Sequence, residues 1–151
     1  MRVRTALVAV ALLLVCGALP ASADETTTFG RQGDPASVSR TIDLEVDDHL
    51  RYKPGEITVR QDETIRFRVK NSGRHIHGLA LGTMTDLKEH ARSMRAEPDM
   101  QQDESHTVRV APGASETLVW QFTKAGEFHY GCLVPGHLEA GMIGKVNVVP
   151  K

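Results

Sequence analysis

The chain has 151 residues with a formal net charge of −1, and 40% of its residues are hydrophobic. This length suffices for one domain that buries its own core. No basic patch or block of like charges stands out, so the sequence argues against nucleic acid as a partner.

The first 23 residues have the pattern of a secretory signal peptide. Arg2 and Arg4 form a basic start, an apolar run follows, and Ala21-Ser22-Ala23 has the small-residue pattern of a cleavage site. The apolar run is short for a bilayer span, so we expect no membrane anchor. We therefore predict cleavage near Ala23 and export of the mature chain to the periplasm.

Residues 24–39 differ in pattern from residues 40–151. The first segment is polar and contains Gly30, Gly33 and Pro35, so we predict a flexible N-terminal segment. From residue 40 onward, short apolar and polar alternations are separated by turn residues. Residues 40–151 are therefore predicted to form the folded domain.

The pattern of this domain predicts short strands and one helix. Strands are predicted over residues 41–46, 57–60, 64–69, 76–82, 107–110, 116–122, 127–131 and 143–149. Residues 85–95 have helical character, and Pro98 follows them. About eight short strands with one short helical insertion predict an all-β fold, a Greek-key β-sandwich.

Three side chains that bind soft or borderline metals follow the last-but-one predicted strand. They are Cys132, His137 and Met142, at the spacing Cys-x4-His-x4-Met. A thiolate, an imidazole and a weak thioether suit copper far better than hard cations such as calcium. Loss of the signal peptide would remove Cys16, so Cys132 would be the one cysteine of the mature chain and could form no internal disulfide.

A further histidine would complete the two-His, one-Cys set with a weak axial Met that is typical of blue-copper sites. His77 is in phase with Leu79 and Leu81 on a predicted strand, so its side chain is expected to enter the sandwich. His75 has the same phase but lies nearer a turn. The periodicity favours His77 and leaves His75 as the alternative.

The Pro-Gly-His-x-x-Ala-Gly-Met sequence that ends at Met142 resembles the copper loop of the cupredoxin (plastocyanin/azurin) family. It is most similar to the small exported cupredoxins associated with copper resistance and copper handling. The resemblance extends over nearly all of residues 40–151. It implies one type 1 copper with His77, Cys132 and His137 as equatorial ligands and Met142 as the axial ligand.

One position departs from the family pattern. Gly78 follows the first histidine, where relatives commonly have Asn or Glu. The side-chain hydrogen bond that would brace the two ligand loops is therefore missing here or supplied by another residue. This concerns the surroundings of the metal and its potential, not the identity of the metal.

The helical insertion and its neighbourhood contain a second group of possible copper ligands. They are Met84, His90, Met94, Met100 and His106. His90 and Met94 share a face of the predicted helix, so a weaker second copper near His90, Met94 and Met100 is one interpretation. In the other, the methionines pack the helix onto the sandwich and the histidines are solvated.

Other thiol and metal chemistries fit the sequence less well. A Cys-His hydrolase lacks a clear orienting group, and a structural zinc site would use more cysteines and no Met. A binuclear copper site would need two bridging cysteines. Multicopper oxidases flank their cysteine with histidines, whereas Cys132 stands between Gly131 and Leu133.

Two functions remain, and in neither is the protein an enzyme. The first is a carrier of single electrons, in which copper cycles between Cu(II) and Cu(I) and redox proteins dock transiently at the apolar residues around His137. The second is copper tolerance, in which the protein binds or buffers copper in the periplasm with the same site and the Met/His-rich insertion. Both are compatible with a monomer, which we expect.

Overall fold

The computed structural model describes residues 27–98 and 104–151, which form two packed sheets. The strands described are β1 Gly30–Gln32, β2 Arg40–Val46, β3 Tyr52–Lys53, β4 Glu56–Arg60, β5 Thr64–Asn71, β6 His77–Gly82, β7 Thr107–Val110, β8 Ser115–Phe122, β9 Gly126–Gly131 and β10 Ile143–Val149. One sheet has the order β1-β8-β5-β2-β3 and the other the order β4-β10-β9-β6-β7. The predicted all-β sandwich is confirmed.

Alternating side chains of both sheets fill the space between them. Trp120 and Phe122 of β8 and Phe67 of β5 have no solvent exposure, and the ring of Phe128 of β9 lies 6.4 Å from that of Phe122, centroid to centroid, across the two sheets. Burial of this apolar surface is the main stabilising contribution to the fold. The cysteine of the predicted copper loop, Cys132, belongs to the same buried cluster.

The predicted helical insertion is present as α1, Met84–Ala96. Thr83 accepts a hydrogen bond from the Asp86 backbone N–H, and the Asp86 carboxylate accepts one from the Thr83 N–H, which completes a capping box. Leu87 and Ala91 of the helix pack in a small apolar cluster with Leu138 of the copper loop. The helix therefore supports the loop that carries His137.

The prediction of a flexible segment over residues 24–39 is wrong for residues 27–39. Strand β1 pairs antiparallel with β8, and Phe29 is 2% exposed against Trp120 and Phe128. Gly30, which suggested flexibility, is a glycine for a different reason. A Cβ atom on Gly30 would lie 2.5 Å from Trp120 Nε1, so the residue marks a close approach of strand to core.

Several sequence-based predictions concern residues outside the described ranges. The signal peptide (residues 1–23), residues 24–26 and Met100 all lie there. Among the residues that are described, neither α1 nor the short 3-10 helix Pro35–Ser37 has the length and apolarity that a membrane crossing requires.

Replacement of Phe29 tests whether β1 belongs to the folded domain. We expect Phe29→Ala to lower the free energy of unfolding of the metal-free mature protein by about 3 kcal/mol or more, because it opens a cavity beside Trp120. Urea unfolding followed by tryptophan fluorescence measures this. The neighbouring exposed Thr28 provides the control, and Thr28→Ala is expected to change stability by less than about 0.5 kcal/mol. Equal stability of the two variants would contradict a packed β1.

Candidate metal centre

The pairing of β6 with β9 brings the predicted ligands together. These strands are antiparallel, with Ala80 opposite Gly131, so the start of β6 lies beside the end of β9. His77 is the first residue of β6, and Cys132 directly follows β9. Two residues 55 positions apart in the chain therefore meet at one end of the same sheet.

Backbone hydrogen bonds close the loop between Cys132 and Met142. The Cys132 N–H donates to the Met142 carbonyl at 3.2 Å, and the Met142 N–H donates to the His137 carbonyl at 3.0 Å. The His137 N–H in turn donates to the Val134 carbonyl at 2.9 Å. The three predicted ligands of this loop are thus fixed to one another through the main chain.

His77, Cys132 and His137 form a compact group of potential metal ligands. Each offers one ligand atom, and these atoms lie within 4.8 Å of one another. Cys132 Sγ is 3.4 Å from His137 Nδ1, and the two imidazole rings have centroids 5.1 Å apart. Met142 is fully buried in the cluster that contains Cys132. By contrast, the His75 side chain is 77% exposed and lies outside this group.

Two features of the environment of Cys132 act on its thiolate in opposite directions: burial disfavours the charge, and nearby backbone N–H groups stabilise it. Burial raises the pKa of the Cys132 thiol to about 11, so the metal-free thiol is protonated at neutral pH. Backbone N–H groups of Val134 and Gly78 interact with the sulfur and lower that pKa in part. Metal binding must therefore release the thiol proton, and the two amides are already directed at the sulfur that remains.

Each histidine of the group contributes one ring nitrogen to it. His77 is fully buried, and its Nε2 lies 3.2 Å from Asp48 Oδ1. A carboxylate accepts, so Nε2 carries the proton and Nδ1 keeps its lone pair. Nδ1 is buried and has no hydrogen-bond partner within the described part of the chain. Burial, together with the neighbouring His77 ring, holds the pKa of His137 below its ordinary value.

Asp48 is a positioning residue that sequence reasoning did not identify. Its Oδ2 accepts from the Arg74 N–H at 2.8 Å, and its Oδ1 accepts from the His75 N–H at 3.2 Å. These hydrogen bonds, that of Arg74 above all, hold the pKa of Asp48 well below its usual range. The carboxylate is therefore ionised at neutral pH and fixes both His77 and the turn before it.

The same segment contacts the second ligand loop. Arg51 Nη1 donates to the carbonyl of Ala140 at 3.0 Å, close to Met142 in the chain. Residues 48–51 thus connect the His77 loop with the loop of the other three predicted ligands. In this chain, residues 48–51 thus supply the brace between the two loops that the family pattern assigns to the residue after the first histidine.

The structure also explains why that residue is a glycine. A Cβ atom on Gly78 would lie 2.8 Å from the Val108 carbonyl oxygen of the neighbouring strand β7. An Asn or Glu side chain at this position would require β7 to move away. The close β6–β7 pairing and the Asp48 brace therefore occur together in this chain.

The structure does not bring the described residues of the predicted second copper group together as the sequence suggested. Met94 lies on the buried side of α1 and is 7% exposed, as the packing interpretation expected. His90 lies beside Glu104 and His106, and these three form a second compact group of possible ligands. Neither histidine is solvated, since their side chains are 13% and 16% exposed. Glu104 was not among the residues that the sequence indicated.

Comparison with proteins of known sequence agrees with this site. Residues 38–149 match the model of the copper binding proteins of the plastocyanin/azurin family. The chain is 54% identical over 125 residues to the copper-resistant cuproprotein CopI of Rubrivivax gelatinosus, an alignment that covers 83% of this chain and 76% of the relative. It is 32% identical to the copper-resistant cuproprotein CopI of Pseudomonas aeruginosa, covering 93% and 96% of the two chains.

Solved structures share the fold at low sequence identity. Reduced auracyanin from Roseiflexus castenholzii superposes with a TM-score of 0.65 and 22% identity, covering 75% of this chain and 99% of that one. Auracyanin A from Chloroflexus aurantiacus gives a TM-score of 0.61 at 23% identity, covering 72% and 98%. With the family model matched across both sheets and the whole ligand loop, the chain belongs to the plastocyanin/azurin family of copper-binding proteins.

Proposed function

We propose that one type 1 copper ion would be held by His77, Cys132, His137 and Met142, and that the protein exchanges single electrons at this site. The observation that carries the proposal is the buried, unpartnered Nδ1 of His77 in a group that includes the Cys132 thiol. Two imidazoles, a thiolate and a weak thioether are the donor set of such centres. The residues present therefore fit a copper ion.

The protein's own part in this chemistry is to hold the ligands still. Copper in such a site accepts and releases one electron between its Cu(II) and Cu(I) states. Cys132, His137 and Met142 are connected by backbone hydrogen bonds, and Asp48 fixes the His77 ring. Ligands that are held in this way need little rearrangement when the charge at the site changes. Burial of Cys132 and Met142 keeps water from the sulfur atoms.

The same burial argues for a carrier rather than a thiol enzyme. Cys132 has no solvent exposure, and its pKa is raised to about 11. A nucleophilic cysteine needs access to substrate and a lowered pKa. Cys132 has neither in the metal-free protein.

A redox partner would dock on the apolar surface next to His137. Pro135 and Gly136 of the ligand loop are exposed, Leu133 and Val134 are partly exposed, and Ile76 is 43% exposed. A small apolar surface of this kind suits the brief contacts of electron-transfer complexes. We infer a transient protein partner and a monomeric carrier, with no part for nucleic acid.

Copper tolerance is a second candidate, and the relatives favour it. Two proteins that are 54% and 32% identical to this chain are named copper-resistant cuproproteins. We propose that the protein is exported after cleavage near Ala23 and contributes to copper tolerance in the periplasm. Exchange of electrons and tolerance can share one site, because a redox-active copper site also binds copper.

Replacement of the cysteine tests the type 1 assignment. We expect Cys132→Ser to abolish the intense visible absorption of the copper-loaded mature protein, because that band requires the thiolate. Visible and electron paramagnetic resonance spectra at one equivalent of Cu(II) measure it. His77→Ala is expected to bleach the protein as well, whereas His75→Ala leaves the spectrum nearly intact. Colour that survives in Cys132→Ser would refute the site.

The role of Asp48 is testable by copper affinity. We expect Asp48→Ala to weaken copper binding about 10- to 100-fold, because it frees the His77 ring and its tautomer. Competition with a chelator of known affinity measures the change. Asp47→Ala is the matched control, since Asp47 interacts with His49 and Lys53 and not with the predicted ligands. An equal affinity in both variants would show that Asp48 is not needed.

A growth experiment separates tolerance from electron transfer alone. A strain that lacks this gene is complemented with the wild type or with Cys132→Ser, and growth is followed at rising copper concentrations. If the type 1 site confers tolerance, the wild type restores growth and Cys132→Ser does not. If deletion of the gene leaves copper sensitivity unchanged, the tolerance role is wrong while the electron-transfer role stands.

A further inference from the structure

A second group of metal-binding side chains lies where α1 meets the turn before β7. His90 is in the middle of α1, and Glu104 and His106 come just before β7. The turn is closed by the Thr107 N–H, which donates to the Glu104 carbonyl at 3.0 Å. The His106 carbonyl accepts from the Leu81 N–H at 3.0 Å, so the turn is attached to β6. The group therefore lies on a fixed framework.

The three side chains converge on one point. Glu104 Oε2 is 3.1 Å from His106 Nε2 and 3.5 Å from His90 Nδ1. One ligand atom from each residue lies within 4.8 Å of the other two. Ligand atoms bound to one ion at about 2.1 Å each are at most about 4.2 Å apart. The group would thus have to contract by only a fraction of an ångström around a cation.

The surroundings of the group favour a cation. The cavity beside it is lined by the carboxylates of Asp86, Glu89 and Glu104, and no lysine or arginine of the described ranges lines it. The side chains of His90 and His106 are only 13% and 16% exposed, so both rings lie beside the Glu104 carboxylate and largely out of contact with water.

We propose that His90, Glu104 and His106 form a second metal site that binds one Cu(II) ion. Two imidazoles and a carboxylate are borderline-to-hard ligands, and copper(II) binds such sets more tightly than the other divalent first-row metals do. The site contains no sulfur ligand, which distinguishes it from the second copper near His90, Met94 and Met100 that the sequence suggested. It shares no residue with His77, Cys132 and His137, so it does not depend on the type 1 centre.

The stoichiometry of copper binding tests this site separately from the first. Untagged mature protein is dialysed to equilibrium against Cu(II), and bound copper is counted. We expect two ions for the wild type, one for His90→Gln/His106→Gln, one for Cys132→Ala/His77→Ala, and none when all four changes are combined. The copper at the second site should give a paramagnetic resonance signal with nitrogen coupling, both in the wild type and in Cys132→Ala/His77→Ala. It should contribute no strong visible band.

Matched variants exclude effects of surface histidines and of misfolding. His129 is 16% exposed and lies 3.6 Å from Glu127, but it belongs to no group of three possible ligands in the described chain. His129→Ala should therefore keep both copper ions. Glu104→Gln, which preserves shape, should weaken the second ion at least tenfold while the visible band of the first is unchanged.

Two results would overturn the proposal. One is a wild-type protein that binds a single copper ion while its visible band saturates normally. The other is a second ion that persists in His90→Gln/His106→Gln. Failure of the type 1 assignment would appear differently, as a missing visible band together with a second-site signal that remains.

Discussion

The hydrogen bond between His77 and Asp48 determines what the buried end of the sandwich can bind. An imidazole has two nitrogens, and only the one without the proton can bind a metal. The ionised Asp48 carboxylate accepts from Nε2, which leaves the lone pair on Nδ1. Because Nδ1 is buried and has no partner among residues 27–98 and 104–151, a metal at this position would satisfy a group that this part of the fold leaves unsatisfied. The site is thus arranged before any metal arrives.

Unlike the His77 ring, the Cys132 thiol has to lose a proton before it can bind a metal. A protonated Cys132 is the stable form in the metal-free core, since burial disfavours its charge. A cation removes that penalty, because it pairs with the thiolate in the same low-dielectric environment. The amides of Val134 and Gly78 add further stabilisation of the anion. Copper binding at Cys132 would therefore exchange the thiol proton for the metal.

Local pattern was enough to predict most of the fold and to indicate the candidate copper ligands, three of which the structure brings into one group. Strand periodicity placed His77 and Cys132 on inward faces, and the fixed spacing from Cys132 to Met142 lies within one loop. The structure adds two residues that no local pattern could indicate. Asp48 lies against His77, and Glu104 lies against His90, in each case in another segment of the chain. A solvated carboxylate has the same sequence signature as a positioning one. Their roles depend on long-range contacts.

The short strand β1 was missed for a related reason. A three-residue strand has too few alternating positions for a periodic signal, and Gly30 resembles a flexible residue until its neighbour Trp120 is known. Phe29 was the informative residue, because a large apolar side chain in a polar segment needs a place to be buried. That place is the end of the core near His106, where the two rings meet edge to face with centroids 6.2 Å apart.

Helix α1 connects the two groups of possible metal ligands. It contributes His90 to one group, and its buried side packs Leu87 and Ala91 against Leu138 of the loop that holds His137. Arg95, in its last turn, forms an ion pair with Glu139 of that loop. A helix that is fixed to the copper loop at two points is part of the framework of the first site. The insertion is therefore a structural support of the type 1 loop, and any metal held by His90 binds to that same support.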